Sequence, residues 1–233
     1  MKKDERKLRF GIATNRKWGR QISNSLLEQF PQAEIVEFFS KEELTSETLL
    51  AFSPSYIFFP HWSYLIPEEI FERFACVIFH MTDLPFGRGG SPLQNLISRG
   101  IFETKISALR CVKELDAGPI YMKRDLSLHG NAEEIYLRAM KVIEQMIVEI
   151  VRTDPIPVPQ VGDVTLFSRR QPEESSITSV NDLENLFHHI RMLDAEGYPK
   201  AFLQTEHFRL EFSRASFHEN KIIADVEIRE NNK

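Results

Sequence analysis

The sequence predicts an α/β fold, a mostly parallel twisted sheet covered by helices, followed by a small α+β domain. Three observations predict it. Short continuous apolar runs recur through residues 1–153, separated by stretches with apolar residues at helical spacing, as in a parallel sheet covered on both faces. Alternate prolines in Asp154-Pro155-Ile156-Pro157-Val158-Pro159 then exclude helix and push their neighbours extended. Beyond them the pattern changes to one amphipathic helix and two alternating strands. The expected division is therefore 1–153, a stiff linker over 154–163, and a C-terminal α+β domain over 164–233.

Each element has its own signal. Leu8 to Thr14 reads as a buried first strand, and Ser23 to Phe30 as a helix. Glu34–Phe39, Tyr56–Phe59 and Cys76–Phe79 are the next three strands. Ser91-Pro92-Leu93-Gln94 reads as a helix start, with a serine cap, proline at the first helical position and a glutamine placed to close a capping box. Lys105–Val112 and Ile120–Leu128 are two further strands. A second capping box, Asn131 to Glu134, opens a helix with Ile135, Ala139, Ile143, Met146 and Ile150 on one face, ending near Arg152. In the C-terminal part a helix is expected from about Val180 to Leu193. Strands Phe208–Arg214 and Lys221–Ile228 then pair through a turn at Ser216–Asn220.

The bulk numbers narrow the class. Of 233 residues, 42% are hydrophobic and 27% charged, ordinary values for a globular chain. The formal net charge of −5 lacks the basic surplus that a binder of long nucleic acid uses to displace counterions, so no nucleic-acid partner is expected. Cys76 and Cys111 lie in apolar stretches and read as small core residues. The start, MKKDERKLRF, has no apolar run behind its basic residues, so no secretion signal is expected. No stretch approaches membrane-span length. The expectation is a cytoplasmic protein with no membrane partner; the oligomeric state is open, a dimer included.

The stretch richest in chemistry is Ile78-Phe79-His80-Met81-Thr82-Asp83-Leu84-Pro85-Phe86-Gly87-Arg88-Gly89-Gly90-Ser91-Pro92-Leu93-Gln94. A histidine that ends a buried strand stands at the carboxyl edge of the sheet, where open parallel sheets bind ligands. A glycine loop and a helix start follow it, adding backbone donors to a titratable group. No metal is needed. His188 and His189 point to different faces of their helix, which argues against a metal site there.

This stretch resembles the N10-formyltetrahydrofolate-dependent formyltransferases. That family includes the methionyl-tRNA formyltransferases and the sugar N-formyltransferases. His80, Leu84, Pro85, Arg88, Gly89, Pro92 and Gln94 match its first motif, and Asp116-Ala117-Gly118-Pro119-Ile120 matches its Asp-x-Gly-x-Ile motif. Phe167 to Ser175 and Ile190 to Phe202 are similar to segments in the C-terminal parts of relatives. The resemblance implies a Rossmann-like formyltransferase domain and N10-formyltetrahydrofolate as formyl donor. It implies a catalytic centre at His80 and Asp116. It also implies a folate site drawn from His61, Trp62, Tyr64, Leu65, Arg88, Gly89, Leu115 and Gly118.

The chain departs from the motif at three places. Thr82 and Asp83 stand where serine and leucine are usual. Ile78 stands where the family has an asparagine that helps hold the formyl oxygen as it gains charge. Losing such a donor costs roughly 10²–10³ in rate. Asn95 and a protonated His80 are the candidate replacements.

The expected reaction is formyl transfer to the amine of a nucleotide-linked amino sugar of the 4-amino-4,6-dideoxy type. The motif wording is similar to the branch that includes pseudaminic-acid-type pathways. A tRNA acceptor fits poorly with the acidic balance and with so short a C-terminal segment. Two other readings stay open. One is a folate- or sugar-binding homologue that has lost catalysis with the asparagine. The other is an enzyme with altered acyl chemistry, a deformylase or a formyltransferase for another small amine.

Overall fold

The computed structural model describes residues 8–19 and 21–231. The first seven residues, which carry most of the expectation of no secretion leader, lie outside that range. In chain order the elements begin with β1 (Arg9–Ala13), α1 (Ile22–Gln29), β2 (Glu34–Phe38), α2 (Ser46–Phe52), β3 (Tyr56–Phe59), α3 (Glu68–Phe71), β4 (Cys76–His80) and β5 (Arg88–Gly89). They continue with α4 (Pro92–Ile97), β6 (Glu103–Arg110), β7 (Ile120–Ser127), α5 (Ala132–Thr153), β8 (Leu166–Phe167), α6 (Leu183–Leu193), β9 (Ala201–Gln204), β10 (Phe208–His218) and β11 (Lys221–Glu230).

Six strands form one sheet in the order β2-β1-β3-β4-β6-β7. β1 to β4 run parallel, and β6 runs antiparallel to β4, with His80 opposite Ser107. The expected mostly parallel α/β architecture is what the chain adopts. The apolar runs are continuous because both faces are covered: Phe10, Ile12, Ile57, Phe58 and Val77 are all inaccessible to water or nearly so. Phe38, Leu44, Leu49, Ile57, Phe59 and Ile70 pack with Cys76 and Cys111 in one cluster. Both cysteines are free and buried, and burial pushes the Cys111 thiol up to about 12.

The two helix starts behave differently. At α5 the capping box is formed: Glu134 N donates to Asn131 Oδ1 and Asn131 N donates to Glu134 Oε2, both at 2.9 Å. At α4 it is not. Ser91 sits in the left-handed region at φ 48°, makes no cap bond, and instead accepts from Arg170 N at 3.1 Å. Gln94 is buried and donates to Tyr136 Oη and to Met192 O, each at 3.2 Å, while its Oε1 has no partner among the described residues, so the glutamine does not close the box.

The proline segment is hydrogen-bonded to β7. Val158 and Ile120 exchange two backbone hydrogen bonds of 2.7 and 2.9 Å, which pin the segment beside the start of β7. The chain clusters into two compact units, each discontinuous in sequence. One takes the described residues up to Arg88, then Lys105–Asp125 and Arg138–Thr165. The other takes Gly89–Thr104, Leu126–Leu137 and Leu166 onward.

In this second unit a three-stranded sheet, β11-β10-β9, lies with α6. α6 begins at Leu183 because Asp182 caps Asn185 N at 2.7 Å. Its buried face carries Arg191, which donates to Leu128 O at 2.7 Å, to Gly130 O at 2.9 Å and to His188 Nδ1 at 2.9 Å. Burial lowers the Arg191 pKa to about 10. Among the described residues no helix is long and apolar enough to cross a membrane.

The α5 cap gives a direct test of this reading. Asn131→Ala removes an acceptor from an orphan helical N–H and should cost about 1 kcal/mol in urea unfolding. A loss below about 0.3 kcal/mol would show that the box contributes nothing to stability.

Candidate active site

β4 ends on His80, and Ile78 and His80, two residues apart on one strand, share a face. The His80 side chain is 7% exposed. Its Nε2 lies 2.7 Å from Gly87 O. A carbonyl only accepts, so Nε2 carries the proton and donates it there. Nδ1 faces Asp116 Oδ2 at 3.5 Å, and the Asp116 side chain is also 7% exposed. That separation is an ion-pair distance and too long for a direct hydrogen bond.

The loop after β6 is shaped to deliver this carboxylate. Asp116 takes φ 52°. Gly118 lies so close to the chain that a Cβ there would stand 1.8 Å from Arg110 O, so the Asp-x-Gly spacing reflects a steric requirement for glycine. Ala117 N donates to Glu114 O at 3.3 Å and Arg110 N to Pro119 O at 2.9 Å, which close the loop on itself. Gln160 adds a brace: its Nε2 donates to Asp116 O and to Gly118 O, both at 2.8 Å. Nothing in the sequence singled out this residue. It follows the prolines without periodicity, and its partners are more than forty positions away in the chain.

The loop after β4 is held as firmly. Ser107 Oγ donates to Thr82 O at 2.7 Å and accepts from Leu84 N at 3.3 Å. Asp83, one of the departures from the family motif, pairs with Lys123 at 2.5 Å and Lys105 at 3.0 Å. Burial opposes its charge, but the two lysines outweigh it and hold the carboxyl below the usual range. The substitution therefore ties the loop to β6 and β7.

Beside the pair lies a cleft of about 160 Å3. Phe59, Trp62, Tyr64, Leu65, Ile66, Phe71, Ile78 and Leu109 form its apolar wall, and residues 110–116 with Gly118 complete it. Trp62 Nε1 is buried with no hydrogen-bond partner among the described residues. Leu65 is 85% exposed and Leu115 57%, so apolar side chains flank the cleft without protein to cover them.

Of the residues expected to hold folate, Trp62, Tyr64, Leu65, Leu115 and Gly118 line this cleft. His61 and Arg88 belong to the same unit but are not in its wall, and Gly89 belongs to the other unit. Gly89 has φ 108°, and a Cβ there would meet Phe167 O at 2.4 Å, a reason for glycine independent of any ligand. Asn95 also belongs to the other unit. Its Nδ2 is within 3.0–3.1 Å of Gly90 O, Ser91 O and Ser168 O, and its Oδ1 accepts from Arg99 at 2.9 Å. Three carbonyls compete for two N–H groups, so this amide has no donor left for an oxyanion. Among the described residues no group of three or more His, Cys, Asp or Glu is placed to hold a metal.

Comparison with known proteins bears on this geometry. The chain is 51% identical to a solved structure of methionyl-tRNA formyltransferase from Clostridium thermocellum, with a TM-score of 0.93 over 96% of this chain and 100% of that one. The chain belongs to the methionyl-tRNA formyltransferase-like family of formyltransferases. Residues 172–229 match the family model for the methionyl-tRNA formyltransferase C-terminal domain. A curated relative, the methionyl-tRNA formyltransferase of Thermotoga maritima, is 24% identical over 79% of this chain and 63% of its own length. Against the relative from Mesoplasma florum the share of that protein's length is 50%, so the chain spans between half and two thirds of these curated relatives. A solved structure of a likely sugar N-formyltransferase from Mycobacterium tuberculosis shares the fold, with a TM-score of 0.68 at 13% identity over 85% of this chain and 93% of that one. The family's formyl donor is a reduced folate. The cleft suits its fused ring in being lined by apolar and aromatic side chains, Phe59, Trp62, Tyr64 and Phe71 among them.

His61 supplies a pH test. Burial, with the Arg16 guanidinium adding to it, pushes its pKa down to about 4. The unfolded chain takes up this proton near pH 6.5, whereas the native state resists until about pH 4. The folded state should therefore lose stability as pH falls from 6.5 toward 4. His61 has φ 51°, which asparagine tolerates, so His61→Asn should reduce this loss. Urea unfolding at pH 7 and at pH 4.5 checks it; equal losses in both proteins would assign the acid sensitivity to other groups.

Proposed function

We propose that this chain transfers a formyl group from N10-formyltetrahydrofolate to a primary amine, with His80 and Asp116 as catalytic residues. The observation that carries this reading is the pair of buried titratable groups 3.5 Å apart beside an apolar cleft. When bound, the folate supplies the formyl carbon. The amine must be neutral to attack; as its nitrogen bonds to the formyl carbon and the bond from that carbon to the folate N10 breaks, the proton the amine loses would be held by His80 and passed to the departing N10. His80 holds one proton at Nε2, and Asp116 faces Nδ1, so the carboxylate stabilises positive charge on the ring as a second proton arrives. The Asn95 amide is fully engaged, so where Ile78 replaces the family asparagine the donor is a charged His80 that releases Gly87 O.

For the acceptor we favour the amine of a nucleotide-linked amino sugar. The net charge of −5 and the wording of the His80 motif support it. A second reading, the α-amine of methionyl-tRNA, is supported by the name of the 51% identical relative. One assay separates these and the remaining alternatives. The protein is incubated with formyltetrahydrofolate and, in parallel, a panel of nucleotide amino sugars, charged initiator tRNA and buffer alone. Tetrahydrofolate release is followed by absorbance and product by mass. Formylated sugar supports the first reading and formylated tRNA the second. Folate release in buffer alone would indicate a deformylase. Binding without turnover would mark a binding protein, and saturating folate at a hundredfold excess over Kd should raise stability by about 2.7 kcal/mol.

The mechanism makes a sharper claim. His80→Asn should lower kcat by roughly 10² or more. Asp116→Asn keeps shape and removes charge, and it should lower kcat far more than it raises either KM. Normal turnover of the saturated Asp116→Asn protein with weakened folate binding would make Asp116 a binding residue instead.

A further inference from the structure

Gln160 uses all of its side-chain hydrogen-bonding capacity on two pieces of the candidate site. Its two amide hydrogens go to Asp116 O and Gly118 O at 2.8 Å each, and its Oε1 accepts from Arg88 Nε at 3.1 Å and Arg88 Nη2 at 2.9 Å. Arg88 also reaches Glu114 Oε1 at 3.6 Å, on the same loop as Asp116. The loop is thus tied at Glu114, Asp116 and Gly118. Gln160 is itself anchored, two residues on from the Val158–Ile120 bridge. Its two donors meet the carbonyls on either side of Ala117, in a loop that holds Asp116 at φ 52°.

We propose that Gln160 is a positioning residue: it locks the left-handed turn that sets the Asp116 carboxylate against His80 Nδ1, and it fixes Arg88 to the same loop. Part of the inference, its effect on turnover, rests on the formyl-transfer reading; the placement of Asp116 does not. The proline segment is then a strap that completes the site from outside the sheet.

Gln160→Glu is the discriminating variant. It keeps an oxygen for Arg88 but turns two donated hydrogen bonds into oxygen–oxygen repulsion at Asp116 O and Gly118 O. Gln160→Met, similar in shape and without either set of bonds, is the companion. The full-length chain is used throughout, with thermal melts to establish folding. The first readout is the His80 ring in long-range 1H–15N spectra, assigned with His80→Asn and calibrated with Asp116→Asn. In both Gln160 variants the ring resonances should move toward those of Asp116→Asn. In the assay, kcat should fall at least tenfold, with the change in folate KM smaller than the change in kcat. If a folded Gln160 variant keeps the wild-type His80 spectrum, the proposal is overturned, whatever its turnover. If the spectrum shifts as expected but no acceptor is formylated by the wild type, Gln160 still positions Asp116 and it is the formyl-transfer reading that has failed. Should Gln160→Glu not fold, Gln160→Met decides by the same two readouts.

Discussion

A carboxylate and an imidazole, each 7% exposed, stand 3.5 Å apart, and most of the local architecture serves to keep them there. Polar groups shielded from water interact strongly, but only if the chain that carries them is fixed; otherwise each relaxes toward solvent. The fixing is visible on both sides. His80 is the last residue of a central strand that is buried except at Ile78, which lines the cleft, and Gly87 O holds its far nitrogen. Asp116 is delivered by a loop whose glycine fits under Arg110 O with no space for a Cβ and whose carbonyls are held by Gln160. The sheet supplies rigidity on one side, and side-chain bracing supplies it on the other.

That division explains what the sequence revealed and what it concealed. β3, β1 and β4 are marked to within a residue or two because covered strands leave a nearly unbroken apolar signature; β2, a partly exposed edge strand that carries Glu34 and Glu37, is marked instead by its β-branched and aromatic residues. α5 was legible because Asn131 and Glu134 interact locally. Ser91 and Gln94 carry the same local signature and do something else. Gln94 is drawn into a buried bond with Met192 O, 98 residues away, and Ser91 to Arg170 N, 79 away. Local pattern cannot distinguish the two cases, since the difference lies in tertiary partners. Gln160 was invisible for the same reason. α2 and β9 were missed because they are short and carry weak periodicity.

Within the site, the residues that matched a family motif and those that did not have different physical meanings. Asp83 replaces an apolar residue and is compensated in full by Lys105 and Lys123, so the departure is structural and self-contained. Ile78 is not compensated in that way. It forms part of the cleft wall and packs with Leu84, Leu109 and Ile120, where an amide would have to displace apolar contacts. The amide expected to stand in for it, Asn95, is committed to three carbonyls.

The burden on His80 follows from this. Its Nε2 proton is already donated to Gly87 O, and Thr82 Oγ1 points at the same oxygen from 3.4 Å. For that proton to serve a substrate oxygen, the ring must exchange one acceptor for another. Moving the Gly87 carbonyl is the harder route. Gly87 N donates to Thr165 O at 3.0 Å, and the start of the loop is fixed by Ser107 and by the Asp83 ion pairs. The cheaper motion is a small rotation of the His80 side chain, with Thr82 left to satisfy the carbonyl that His80 gives up. Thr82 then has a reason for standing where serine is usual: its β-branch restricts the hydroxyl to few rotamers and keeps it near Gly87 O. Thr82→Val would keep the shape and remove that hydroxyl. Its effect should fall on kcat more than on either KM, because the contact, long at 3.4 Å while His80 holds Gly87 O, is what satisfies that carbonyl when His80 lets go.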